Sequence, residues 1–169
     1  MSAMPEYAES PGQELLIERV LDAPRELVFK AWTECEHFSR WWGPAQFTTP
    51  HCSIDLRPGG RMHYCMKAPD GQEFWGIGIY QEIVAPERLV YTDSFSDEEG
   101  DPVPPEHYGM SPEWPSKMLV TVTFQQLDGR TKLRLQYAGS VPGADRDNAE
   151  AGWNESFDRL EDYVKSAGA

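Results

Sequence analysis

The chain has 169 residues, 40% of them apolar and 25% charged, a size and balance that favour one globular domain burying roughly 70% of the surface its unfolded chain exposes. Fifteen basic against 28 acidic side chains leave a net charge of −13, and no local basic patch offsets it; this argues against nucleic-acid binding and leaves cationic partners open. No run approaches the ~18 apolar residues of a membrane span, and Met1–Tyr7 has neither the basic nor the apolar segment of a secretory signal, so we expect a cytoplasmic protein without a membrane contact.

In chain order, residues 1–12 are polar, contain Pro5 and Pro11, and read as a loose tail ahead of a single domain over 13–169. Leu15–Leu21 reads as a first strand. Pro24 stands where a first helical turn tolerates proline, and Leu27, Val28, Ala31 and Trp32 follow at helical spacing. A second short helix, about 36–42, ends at Gly43-Pro44, which cannot continue it.

The middle reads as a β-meander with strands at about 46–56, 61–68, 73–84 and 88–96. Arg57-Pro58-Gly59-Gly60, Pro69-Asp70-Gly71 and Pro86-Glu87 supply the turns. Met62, Tyr64 and Met66 alternate with Arg61, His63 and Lys67, marking one buried and one wet face. Gly76 and Gly78 interrupt the next strand, where glycine serves a bend or a close approach. Residues 97–116 form a long acidic, proline-rich loop whose Tyr108, Met110 and Trp114 suit either a lid or a plain excursion. Strands at about 117–127 (Met118, Val120, Val122 and Phe124 on one face) and 130–139 follow, joined by Asp128-Gly129. After Pro142-Gly143 a helix runs to about Ser166, with Ala149, Trp153, Phe157, Leu160 and Val164 in one stripe.

Three cysteines, Cys35, Cys52 and Cys65, make no disulfide framework, and an odd count in a chain read as cytoplasmic predicts free thiols. His51-Cys52 and His63-x-Cys65 lack the spacing of a zinc site, so no metal is expected. Nucleotide and hydrolase fingerprints (P-loop, G-x-G-x-x-G, G-x-S-x-G) are missing, and no cofactor is assigned.

The order of strand, two short helices, six strands and long helix comes with several local motifs. These are Ala23-Pro24, Val28-x-x-Ala31-Trp32, Trp41-Trp42-Gly43-Pro44, Asp55-Leu56-Arg57-Pro58-Gly59-Gly60, Asp70-Gly71, Pro86-Glu87-Arg88-Leu89 and Gly152-Trp153 with Leu160. Together they resemble the START-like (SRPBCC) superfamily over about residues 14–166, and more closely the family of activators of the ninety-kilodalton heat-shock chaperone's ATPase. The resemblance implies an α+β helix-grip fold, a curved antiparallel sheet wrapped around the long C-terminal helix. It also implies a range of functions, because carriers, cyclases, hydrolase-like enzymes and chaperone regulators share this architecture. The chaperone activators carry a separate N-terminal domain for most of the chaperone contact, and 169 residues leave no room for one.

A sheet gripping one helix encloses more volume than the helix fills, and such mouths favour pockets. We therefore expect a small hydrophobic or aromatic ligand between sheet and helix, lined by Trp32, Trp41, Trp42, Met62, Tyr64, Met66, Trp75, Ile77, Val120, Val122, Trp153 and Phe157. The competing reading is that these rings fill a solid core. A protein-interaction role, such as regulation of a chaperone, would instead use the acidic surface and show salt-dependent affinity. An enzyme of cyclase or hydrolase type would need acid–base groups, for which His51, Asp55, Tyr64, Asp93 and Tyr137 are the candidates near the cavity; no catalytic residue is assigned among them. Asp55 reads as a turn-stabilising side chain and His51 as a structural or solvent-facing histidine.

Overall fold

Period-two alternation through the middle of the chain produces strands that each bury one face, and these pair into a single antiparallel sheet. In a computed structural model, which describes residues 15–109, 117–138 and 143–167, the strands are β1 (Leu15–Leu21), β2 (Thr48–Ile54), β3 (Arg61–Lys67), β4 (Glu73–Val84), β5 (Arg88–Ser96), β6 (Met118–Leu127) and β7 (Arg130–Ala138). They lie in the order β1-β7-β6-β5-β4-β3-β2, so the meander keeps neighbours together and β1 closes against the last strand. The sheet curls, and the helices α1 (Arg25–Thr33), α2 (Cys35–Phe38) and α3 (Gly143–Ala167) accompany it in a helix-grip fold. None of the helices among the described residues is long and apolar enough to cross a membrane.

The expected N-terminal tail, Met110 and Trp114 of the proline-rich loop, and Pro142 lie outside the described residues, as does the side chain of Ala149. Elsewhere the boundaries shift for local reasons. The expected strand from 46 starts at Thr48 because Gln46 adopts a left-handed φ of 72° that no strand accommodates. Regular helix ends at Phe38 rather than 42, with the chain winding on in single turns to Trp42, whose N–H donates to the Phe38 carbonyl at 3.1 Å. The first part of the acidic loop is tied to the sheet rather than standing off it. Asp97 caps its own turn by accepting from the N–H groups of Glu99 and Asp101, and a short 3₁₀ turn, Pro105–Tyr108, brings the Tyr108 hydroxyl onto the Ser96 carbonyl.

The cysteine expectation is corrected. Cys35 opens α2 and Cys52 lies in β2; their Cα atoms are 5.7 Å apart and the two sulfurs form a disulfide, leaving Cys65 as the free thiol, buried. The two lie 17 positions apart in sequence, and the packing of α2 on β2 brings them together. Among the described residues, no cluster of His, Cys, Asp or Glu is placed to hold a metal ion.

The core lies on the helix-facing side of the sheet. Phe157, Leu160 and Val164 of the expected α3 stripe are fully buried against it. Trp32 sits at the centre, edge-on to Trp41 (5.0 Å between ring centroids) and stacked with Trp153 at 6.2 Å. Polar clasps hold α3 in place: Arg19 on β1 reaches Asp158 at 2.8 Å and Glu161 at 3.2 Å, and the Tyr163 hydroxyl bonds His37 Nδ1.

Candidate functional site

Cross-strand partners share a face of the sheet, so the register decides which side chains meet α3. Met62, Tyr64 and Met66 of β3 oppose Gly78, Gly76 and Phe74 of β4. The helix-facing side of β4 is therefore Phe74, Gly76, Gly78 and Tyr80, and Trp75 and Ile77 point to the other side. There Trp75 packs with His51 and His63, at centroid distances of 5.3 and 5.1 Å, and buried Ile77 lies against the 97–101 turn. Both were expected to line the cavity, and neither does. Assigning the bulky residues of β4 to the inner face reverses the parity of the strand. The two glycines carried the correct signal: a methyl group built on Gly76 would overlap the Tyr64 ring, so glycine is what lets that ring lie across the strand.

On the inner side the structure holds an apolar cavity of about 270 Å³ between β3–β7, α3 and the segment following α2. Of the expected lining residues, Trp42, Tyr64, Met66 and Trp153 border it. Trp32, Trp41, Met62, Val120, Val122 and Phe157 lie on the same side but are packed into the solid core. Phe47, Phe74, Phe95, Met118, Ser156 and Pro44 also line it and were not foreseen as ligand contacts, while Tyr137 and Asp93 were foreseen only as acid–base candidates. Phe74, Phe95 and Tyr137 follow from the register alone. Phe47 and Pro44 come from a loop whose path is set by tertiary contacts.

Those contacts are specific. Arg159 of α3 donates from one guanidinium nitrogen to the carbonyls of Trp42, Gly43 and Pro44 at 3.3, 3.0 and 3.1 Å, and Glu155 accepts the Ala45 N–H at 3.0 Å. The Thr49 hydroxyl donates to the Trp42 carbonyl at 3.0 Å. This segment is thereby fixed as the rim of the cavity, with the Trp42 ring edge-on to Tyr64 and Trp153. The Trp42 indole N–H is buried and has no hydrogen-bond partner among the described residues.

Among the described residues, one carboxyl stands in this apolar wall. Asp93 of β5 pairs across the sheet with Gly78 and Met118, which places its carboxyl on the inner face, where Tyr64 Oη donates to Oδ1 at 3.0 Å. Burial pushes the Asp93 carboxyl up to about 7, and the hydrogen bond from Tyr64 only partly offsets it. Burial, reinforced by the nearby Asp93 charge, likewise raises the hydroxyls of Tyr64, Tyr91 and Tyr137 well above their ordinary value. Of the five acid–base candidates, the structure brings Tyr64, Asp93 and Tyr137 together. His51 lies on the opposite face, and Asp55 is an exposed turn residue bonding Arg57 Nε at 2.8 Å. The described residues offer an aromatic pocket with one acidic anchor.

Comparison with known proteins agrees with this architecture. A protein of Chromobacterium violaceum with a crystal structure is 27% identical, with 90% of this chain and 97% of that one aligned at a TM-score of 0.73. A Nitrosomonas europaea protein is similar at 23% identity, covering 97% and 98% of the two chains at a TM-score of 0.73. The Activator of Hsp90 ATPase homolog 1-like protein of Aeromonas hydrophila is similar at 23% identity, over 92% and 94%, at a TM-score of 0.69. No protein of curated function matches the sequence. The model of one family, described as Activator of Hsp90 ATPase homolog 1-like protein, matches residues 22–165, and this chain belongs to that family, as a START-like protein.

Proposed function

We propose that the protein binds a small hydrophobic or aromatic molecule in the cavity between the sheet and α3. The observation that carries this reading is an apolar pocket of about 270 Å³, walled by Trp42, Phe74, Phe95, Met118 and Trp153, that opens beside the close-packed core. An apolar hole of roughly 150 Å³ already accepts benzene. The space suits a molecule of about two fused rings. Met66 and Met118 add thioether side chains that adapt to different shapes.

The test is native mass spectrometry of the purified protein followed by a thermal-shift screen of lipids and aromatic compounds. A co-purifying apolar mass, or a compound raising Tm with its concentration, is the expected result, with the gain reduced in Trp153→Ala. A screen without any shift, together with native spectra without added mass, overturns the reading.

A further inference from the structure

Among the described residues, the cavity wall contains one formal charge, Asp93, and no basic side chain opposite it. Asp93 lines the cavity and accepts one hydrogen bond, from Tyr64. No lysine, arginine or histidine is among the described residues that border the space. The other polar side chains that border it among the described residues are neutral: the Tyr64, Tyr137 and Ser156 hydroxyls. Buried carboxylates are ordinarily paired or replaced, because an unpartnered one carries an uncompensated desolvation cost. Asp93 is half-buried and stands in the wall of an aromatic pocket, with Gly76 leaving the space in which Tyr64 lies to reach it.

We propose that the ligand is an organic amine, its ammonium group seated on the Asp93 carboxylate and its hydrocarbon body against Trp42, Trp153 and Phe74. The inference rests on the cavity being a ligand site, as argued above, and adds the chemical class. An ammonium supplies the missing counter-charge and the donors that the free carboxylate lone pairs can accept. The ring faces around Asp93 attract a cation through their quadrupoles as well as by contact. The same geometry disfavours fatty acids and other apolar anions, which would bring a second negative charge beside Asp93, and the net charge of −13 acts in the same sense at longer range. A neutral alcohol of the same shape keeps the apolar contact and one hydrogen bond but loses the charge pair.

Binding a cation requires the ionised carboxylate, so amine preference should fade as Asp93 is protonated. Among the described residues, the titratable groups facing Asp93 are Tyr64 of β3, Tyr91 of β5 and Tyr137 of β7. All three stay neutral over the range concerned, because burial raises them. From β4 the facing positions are Gly76 and Gly78, from β6 Met118, and from α3 the described lining residues Gly152, Trp153 and Ser156, none of which titrates.

The experiment is calorimetric titration with three compounds of one shape: 1-naphthylmethylamine, 1-naphthylmethanol and 1-naphthoic acid. At pH 8 the amine should bind at least about tenfold more tightly than the alcohol, and the acid more weakly than either. In Asp93→Asn the preference for the amine should shrink to within about twofold. The same loss should occur in the unmodified protein at pH 5.5, a readout independent of how well the variant folds. Equal binding of amine and alcohol at pH 8 overturns the amine assignment while leaving the cavity reading intact. Binding of none of the three overturns both.

Discussion

Asp93→Asn should make the protein more stable at alkaline pH, and the size of the effect follows from where the carboxyl sits. The group moves from an ordinary carboxylate value of 3.8 to about 7 on folding. Each unit of such a difference is worth about 1.4 kcal/mol. Because the folded-state value is raised, the stability associated with the protonated form is fully present below about pH 4 and is lost progressively as pH rises through 7. The full penalty is about 4 kcal/mol above pH 8 and about 1.6 kcal/mol at pH 5. Asparagine never ionises, and its carbonyl can still accept the Tyr64 hydroxyl, although its amide needs a partner and costs roughly 1–3 kcal/mol if it finds none. That offset does not depend on pH. The advantage of the variant over the parent should therefore fall by about 3 kcal/mol between pH 8 and pH 5, whatever its absolute value. Urea denaturation of both proteins at pH 5, 6, 7 and 8, without ligand, measures this directly. A difference that stays constant across the series would show that Asp93 is solvated and ordinary, and would refute the argument.

Three further outcomes are expected. Tyr64→Phe removes the bond that lowers the Asp93 carboxyl, so its titration followed by carbon-13 NMR should move upward; a downward move would contradict the hydrogen bond. Reducing Cys35–Cys52, which lie 17 positions apart in sequence, should cost about 3 kcal/mol in the loop-entropy account, and unfolded protein should titrate one thiol before reduction and three after; three at the outset would disprove the bridge. Trp75→Ala, on the outer face, should leave affinity for an apolar ligand within about twofold, whereas Phe157→Ala should lower stability by about 3–5 kcal/mol; reversed effects would mean the faces are misassigned.

Much of the architecture was legible in the residues. Asp128-Gly129 places both residues at positive φ, 49° and 83°, as a two-residue hairpin loop demands, and the predicted strands on either side pair in that register. The α3 stripe named its own buried face through Phe157, Leu160 and Val164, because a helix carries its packing in a local period. The candidate site was less readable. Trp75 and Ile77 look more like cavity residues than Gly76 and Gly78 do, since alternation defines two faces without saying which one meets the helix. That choice depends on pairing with β3, where Tyr64 needs the space over Gly76.

Local chemistry written along the chain was thus sufficient for the order of elements and their turns, because each follows from neighbours a few residues away, while the helix-grip frame came from the family resemblance that the motifs carry. Three features were decided only in three dimensions: the Cys35–Cys52 bridge, the rim held by Arg159 across more than a hundred residues, and the isolation of Asp93 among rings. Each depends on which distant groups share a space and how much water reaches them, and spacing along the sequence carries neither quantity.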